Sequence, residues 1–361
     1  MREVRPGYAG ARAAVRPTLA DQASVSLESH LRLLAGLAFV VGFTLWFGYR
    51  DYSVGADTEN YRRLFTWIAG SELSAILFRF RNTDTFFYAL TKVVGSVVGV
   101  RGTFVFYAGL TVGAVALFAR RLSRRAFVPM LALYATMPVF HALGTNVIRH
   151  GVAVALLLVG TLYLLNGRWK VATAWGVAAV FMHGSSVIYI AACVLAVFVP
   201  VRVLLGILVA SSVLSFYDVG LHQVDRMLGL NLVDLLAKDR YDIYLSGSDR
   251  LYRVGFRADF FLYTLAPLGA AWLSLRVPLT RLVRVAPRKD FLVRMYLALA
   301  SALFLAFSYP YSDRVGVFAW ILIPAILLYR EGQEERPSGF YIKAAAFAVI
   351  AGTNAVLLIV R

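Results

Sequence analysis

Cysteine, lysine and charge are all scarce in this 361-residue chain. The one cysteine, Cys193, lies in an apolar run, which excludes a disulfide framework and any cysteine metal cluster. Five histidines occur, with no H-E-x-x-H and no His/Cys pair at metal-ligand spacing, so no metal or other cofactor is expected. There is no G-x-x-x-x-G-K-[ST] and no G-x-S-x-G, which argues against ATP-driven transport and serine hydrolysis. Only 16% of residues are charged, while 60% are hydrophobic, against roughly 45–50% in an ordinary globular chain. Mean hydropathy is +0.69. This composition predicts a polytopic, all-α membrane protein. Lysine accounts for five of the 37 basic residues, leaving 32 arginines, a bias typical of a GC-rich bacterial genome. The net charge of +17 is spread between apolar runs rather than gathered in a basic domain, so nucleic acid is not an expected partner.

Residues 1–30 are polar, carry Arg2, Arg5, Arg12 and Arg16, and lack an apolar stretch ending in a cleavage site. They are expected to form a cytoplasmic tail ahead of a single transmembrane domain, 31–361. Spans are predicted at 31–48, 103–119, 127–143, 147–165, 203–216, 260–275, 291–307, 315–329 and 341–360. The run 171–199 is 29 residues long, more than the ~20 that cross a bilayer. With Met182-His183-Gly184-Ser185-Ser186 at its middle, it is predicted to be a broken pair, 171–181 and 185–199. The basic clusters Arg120–Arg125 and Arg276–Arg294 belong in the cytoplasm, and parity between them requires this double crossing. About eleven transmembrane helices (10–12) result. Segment 85–100 is apolar but contains Lys92 and would break the parity, so it is expected as a re-entrant or in-plane outer helix. The outer loops are 49–102 and 217–256.

On this map 16 of the 37 basic residues lie outside and 21 inside, a weak form of the positive-inside rule. Ion pairing with the outer aspartates is one explanation. An anionic ligand is the other, because the guanidinium fork matches phosphate and diphosphate bidentately. Arg149 and Arg314 are the hardest to place otherwise, since both sit at the outer ends of spans, where charge is costly.

Several segments, in order, resemble the EpsG/Wzy-like family of bacterial exopolysaccharide and O-antigen polymerases. The family's G-x-D-x-x-x-Y-x-x-x-F stretch is matched by Gly55-Ala56-Asp57-Thr58-Glu59-Asn60-Tyr61-Arg62-Arg63-Leu64-Phe65. Its E-P-x-F-Y-x-L segment corresponds to Thr83-Asp84-Thr85-Phe86-Phe87-Tyr88-Ala89-Leu90, without the Glu-Pro. I-R-Q-x-x-A becomes Ile148-Arg149-His150-Gly151-Val152-Ala153, and A-x-x-F-H-x-S becomes Ala178 to Ser186 with one residue inserted before His183. An aromatic segment, Tyr309 to Arg314, precedes a late span. The resemblance covers roughly residues 31–330. It implies a GT-C-like fold in the bacterial inner membrane and a metal-independent glycosyltransferase working at the periplasmic face. The implied substrate is an undecaprenyl-diphosphate-linked oligosaccharide, with membrane lipids and a chain-length regulator protein as further candidate partners.

Such chemistry displaces a diphosphate by a sugar hydroxyl, and arginines can stabilise the growing charge without a metal. Arg149 and Arg314 are the leading diphosphate ligands, with Arg257 third. Asp57 and His183 are the candidates for general base. Asp57 could instead serve only as a helix N-cap, and His183 as a turn residue of a broken helix. His150 is a candidate for orienting a phosphate or sugar hydroxyl. Tyr61, Glu59, Tyr311 and Asp313 complete the expected substrate-binding set. The competing functions are a GT-C transferase using a polyprenyl-phosphate sugar, an O-antigen ligase and a flippase of lipid-linked oligosaccharide. A flippase should carry internal repeats and mid-membrane charge, and neither is found.

Overall fold

In the computed structural model the residues described are 19–80, 84–227, 229, 254–275 and 287–329. Among them are fifteen helices and no strand. They are α1 Leu19–Tyr49, α2 Thr58–Gly70, α3 Leu73–Arg79, α4 Thr85–Leu122, α5 Phe127–Thr136, α6 Pro138–Thr145, α7 Ile148–Leu165, α8 Trp169–Met182, α9 Ser186–Phe198, α10 Val201–Phe216, α11 Leu221–Met227, α12 Ala258–Leu275, α13 Pro287–Leu305, α14 Asp313–Trp320 and α15 Ile323–Leu328. The predicted span at 341–360, the part of the basic cluster from Arg276 to Arg284 and most of loop 217–256 lie outside the described residues.

Helix α1 starts twelve residues before the expected span. Pro17 cannot continue a helix, and the segment after it has no proline or glycine to stop one. Three helices, in α1, α4 and α7, are long and apolar enough to cross a membrane, and α5 with α6 makes a fourth if the bent pair is one span. About eleven crossings are therefore not established by the helices themselves. Helices α8, α9 and α10 are apolar but hold only 14, 13 and 16 residues, or about 20–24 Å at 1.5 Å per residue.

The expected break in 171–199 is present. Helix α8 ends at Met182, His183 is extended, and α9 restarts at Ser186. A second break falls at Met137-Pro138, where α5 and α6 meet at 72°. Pro138 has no N–H to continue α5 but suits the first turn of α6. A third separates α14 from α15 ahead of Pro324. Within α4 the backbone leaves helical geometry at Gly99, with φ 69° and ψ −176°. Asp84 and Arg101, on either side of this first half of α4, both contact the end of the bundle where α1 stops, through Arg149 and the Arg50 carbonyl respectively. Both ends of the first half of α4 therefore meet that end of the bundle.

The two ends differ in chemistry. Asp57, Arg149, His183 and Arg314 gather at one, hereafter the site end. At the other, Arg288 Nη2 donates to Asn166 Oδ1 (3.0 Å), near Arg168. There the buried Lys289 donates through Nζ to the carbonyls of Ala325 (3.0 Å) and Ile326 at the close of α15.

A compact apolar cluster of α2, α3, α4, α7 and α8 residues, including Phe65, Ile68, Phe87, Phe104, Tyr107 and Met182, underlies the site end. Helices α6 and α7 approach closely because residue 151 is glycine. A Cβ there would lie 2.4 Å from the Leu143 carbonyl oxygen.

Candidate active site

The first piece of the site is the α1–α2 connection. Arg50 is buried, and its guanidinium donates to Thr58 Oγ1 (3.1 and 3.2 Å), to the Thr145 carbonyl (2.5 Å), more weakly to the Gly144 carbonyl (3.4 Å) and to the Phe47 carbonyl. It thereby ties the ends of α1 and α6 to the start of α2. Gly55, at φ 90°, turns the chain into α2. Asp57 takes the N-cap position but makes no side-chain cap bond. Its backbone N–H donates to Asn146 Oδ1 (2.8 Å), so its carboxylate is not engaged in capping α2. Tyr61 follows one turn later, and its hydroxyl accepts the Arg149 backbone N–H at 3.4 Å.

Helix α7 contributes Arg149 and His150 from its first turn, the α8–α9 turn contributes His183, and the first turn of α14 contributes Arg314. Asp57, Tyr61, Val147, Arg149, His150, His183 and Arg314 line one small cavity of about 40 Å³. Six of the ten expected site residues therefore converge, from four separate segments.

Holding Arg149 of this lining is a residue that the sequence marks only as an ion-pairing aspartate. Asp84 Oδ2 accepts from Arg149 Nη1 at 2.8 Å, and Oδ1 accepts the Gly184 backbone N–H at 3.1 Å. His183 Nδ1 lies 3.7 Å from Oδ2, beyond hydrogen-bond reach but within an ion pair's. Tyr88 is equally unmarked. Its hydroxyl accepts from the same Arg149 Nη1 at 2.9 Å, and its ring stacks on Phe80 with centroids 3.7 Å apart. The only signal for either is membership of the segment Thr83 to Leu90.

Several buried polar atoms of the lining have no hydrogen-bond partner: Arg149 Nε, both His150 ring nitrogens and His183 Nδ1. The two imidazoles lie 5.0 Å apart between centroids. Burial lowers the His183 pKa, and the nearby Asp84 carboxylate opposes the shift without overcoming it. Arg314 sits over the Tyr311 ring at 4.5 Å, and no carboxylate lies within 4 Å of its guanidinium among the described residues. Tyr311 itself is at φ 63° and so turns the chain into α14.

The remaining candidates lie elsewhere. Glu59 faces outward, held by Arg62 (2.6 Å) and Arg63 (3.0 Å), which bring its carboxyl down to about 2. The i+3 and i+4 spacing explains this local pairing. Arg257 is held by Asp259, two residues on, through two bonds of 2.9 and 2.6 Å, and lies 3.9 Å from the Phe260 ring centroid. It does not line the cavity. Asp313 lines a neighbouring cavity of about 90 Å³, with Asp259, Phe260, Tyr263, Pro138 and Trp320. Among the described residues no three His, Cys, Asp or Glu side chains converge as a metal-ligand set.

The site thus offers two guanidiniums, one neutralised and one not, beside a carboxylate and an imidazole, where apolar packing keeps most of the groups from water. That combination can bind a polyanionic group and accept a proton next to it. The family model of the EpsG family matches residues 34–356. No curated protein and no solved structure matches the chain.

Proposed function

Because the chain belongs to the EpsG family, we propose that it is a Wzy-type polysaccharide polymerase of the bacterial inner membrane, with the site end facing the periplasm. It transfers a glycan chain from undecaprenyl diphosphate to a hydroxyl of a new lipid-linked repeat unit. The observation that carries the proposal is the convergence of Arg149 and Arg314, one with a buried unpaired Nε, on a cavity also lined by Asp57 and His183.

In this reaction the acceptor hydroxyl attacks the anomeric carbon of the donor chain. The bond from that carbon to the diphosphate oxygen breaks, and the electron pair leaves with the phosphate. Arg149 and Arg314 bind the diphosphate and stabilise the added charge. The hydroxyl proton passes to a base beside the attacking oxygen. Asp57 serves that role, since its carboxylate is not spent on capping α2, with His183 as the rival across the cavity. His150 and Tyr61 line the diphosphate pocket. The aromatic cavity beginning at Asp313 receives the adjoining sugar. A chain-length regulator protein is the partner implied by the resemblance.

The experiment is turnover of an undecaprenyl-diphosphate-linked repeat unit by the purified protein, read as a ladder of glycan lengths. Arg314→Ala should lower kcat by ~10²–10³, the loss typical of removing one preorganised donor. Arg314→Lys should recover part, since it keeps the charge but not the fork. A wild-type protein that leaves the repeat unit unpolymerised would defeat the proposal.

A further inference from the structure

Asp84 stands in an unusual position for a capping residue. It is the N-cap of α4, and aspartate there normally accepts from its own helix. Here it makes no such bond. Its backbone is left-handed, at φ 42° and ψ 36°, a conformation that costs a non-glycine residue energy and persists where the surroundings enforce it. The carboxylate is 3% exposed and is directed at two other segments, Arg149 in α7 and the Gly184 N–H after α8. These partners are 65 and 100 residues away in sequence.

The geometry at Arg149 is specific. Asp84 and Tyr88 both engage Nη1. Nε, on the opposite edge, has no partner although it is buried. A guanidinium has two forks, and the one formed by Nε and Nη2 is the side-on fork that binds a phosphate bidentately. With Nη1 held, rotation about the side-chain bonds is restricted and that fork has a fixed direction. The same carboxylate fixes the turn that carries His183 through the Gly184 N–H.

We infer that Asp84 is the positioning residue of this site: it holds Arg149 by Nη1 so that the Nε–Nη2 fork is presented to a diphosphate, and it locks the His183 turn in register with it. The inference rests on the polymerase proposal for the identity of the substrate, but not for the placement of the fork. A buried ion pair kept only for stability would make the same contacts, yet it would not couple Asp84 to how well residue 149 works.

Two measurements on the full-length protein separate these cases. In the first, kcat and KM are taken on the lipid-linked repeat unit for Asp84→Asn, Arg149→Lys and the double variant. Misplacing a catalytic group by about 1 Å can cost ~10²-fold, so Asp84→Asn should lose roughly 10–100-fold, mainly in kcat. The double variant should be better than the product of the single effects by about tenfold, because the fork is already misplaced when lysine replaces it. Simple multiplication of the two losses, or wild-type kcat in Asp84→Asn, would overturn the inference. The second needs no turnover. Inorganic pyrophosphate should raise the melting temperature of the wild type and raise that of Asp84→Asn clearly less. Equal shifts in the two would also overturn it. If the wild type fails to polymerise but shows the unequal pyrophosphate shifts, the polymerase proposal falls and the role of Asp84 stands. Should Asp84→Asn not accumulate, Asp84→Glu carries both tests, since one added methylene displaces the guanidinium while keeping the charge, and the same losses are expected.

Discussion

Replacing Arg50 should unfasten the site end without touching the cavity lining. Its guanidinium serves the carbonyls of Phe47, Gly144 and Thr145, which belong to the last turns of α1 and α6, where helices leave carbonyls unsatisfied. Hydrogen bonds from a charged donor contribute ~1.5–3 kcal/mol each. The Gly144 contact is long, so two strong carbonyl bonds count, a gross ~3–6 kcal/mol. Releasing the cation from its buried position offsets part of that, and water can reach some of the freed carbonyls. A net loss of ~3 kcal/mol is expected for Arg50→Ala. With an unfolding entropy of ~2.1 cal/mol/K per residue over 361 residues, the melting temperature should fall by roughly 4 °C. Arg50→Met keeps an apolar stem and removes the head group, whose guanidinium carbon lies 5.0 Å from the Phe104 ring centroid. If the bonds dominate, Met is nearly as damaging as Ala. The assay is thermal unfolding of purified protein in one detergent at one concentration. A drop under about 2 °C for Arg50→Ala, or full recovery by Met, would refute the helix-end role. Activity should fall as well, because Thr145 precedes Asn146, the acceptor for the Asp57 N–H.

Gly151→Ala places a Cβ against the Leu143 carbonyl. The first turn of α7 must shift, at a cost of ~1–3 kcal/mol, and polymer should be lost even where protein accumulates. Glu59→Gln should leave polymer ladders and melting temperature unchanged, since Glu59 is spent on Arg62 and Arg63 at the surface; a tenfold loss of rate would return it to the substrate set. Burial holds the His183 pKa below its ordinary ~6.5, so the unfolded chain takes up this proton first as pH falls. Stability from this group is complete above pH 6.5 and declines below it, toward the folded value. Melting temperatures from pH 7.5 to 5 should therefore drop less steeply in His183→Gln, and identical slopes would exclude the effect. For sidedness, Asp57→Cys and Arg124→Cys in a Cys193→Ala background can be treated in intact cells with an impermeant thiol reagent. Only position 57 should react, and labelling at 124 would reverse the proposed orientation.

Much of the helical layout is readable from local chemistry. The break at His183 follows from a run too long for one span with glycine and two serines at its centre, and Pro138 marks a bend within a predicted span. The gathering of Arg149, Arg314, Asp57 and His183 is legible as well, because charge at span ends implies a common face. Asp84 is not. In sequence it is one aspartate among many in polar segments, and what sets it apart is contact with residues 65 and 100 positions away. Such pairings depend on helix packing that no local pattern encodes. Arg257 fails for the converse reason: the aspartate two residues later is visible, and its bidentate capture of the guanidinium is a local event. Glu59 likewise has its arginines within one turn.

The breaks in the helices bear on how charge is counted across a membrane. Each interrupted helix leaves carbonyls inside the protein, and basic side chains fill that need: Arg50 for α1 and α6, Lys92 for the Ala69 carbonyl at the end of α2 (2.8 Å), and Lys289 for α15. Arg101 likewise donates to the Arg50 carbonyl at 2.6 Å. These cations are fixtures of the backbone rather than markers of sidedness. Three of the four sit at the site end, where arginine looks over-abundant. On the topology expected from the sequence, with 16 of the 37 basic residues outside and 21 inside, setting them aside steepens the expected difference between the two sides, so an insertion machinery responding to unattached charge would receive a clearer instruction than the composition alone suggests.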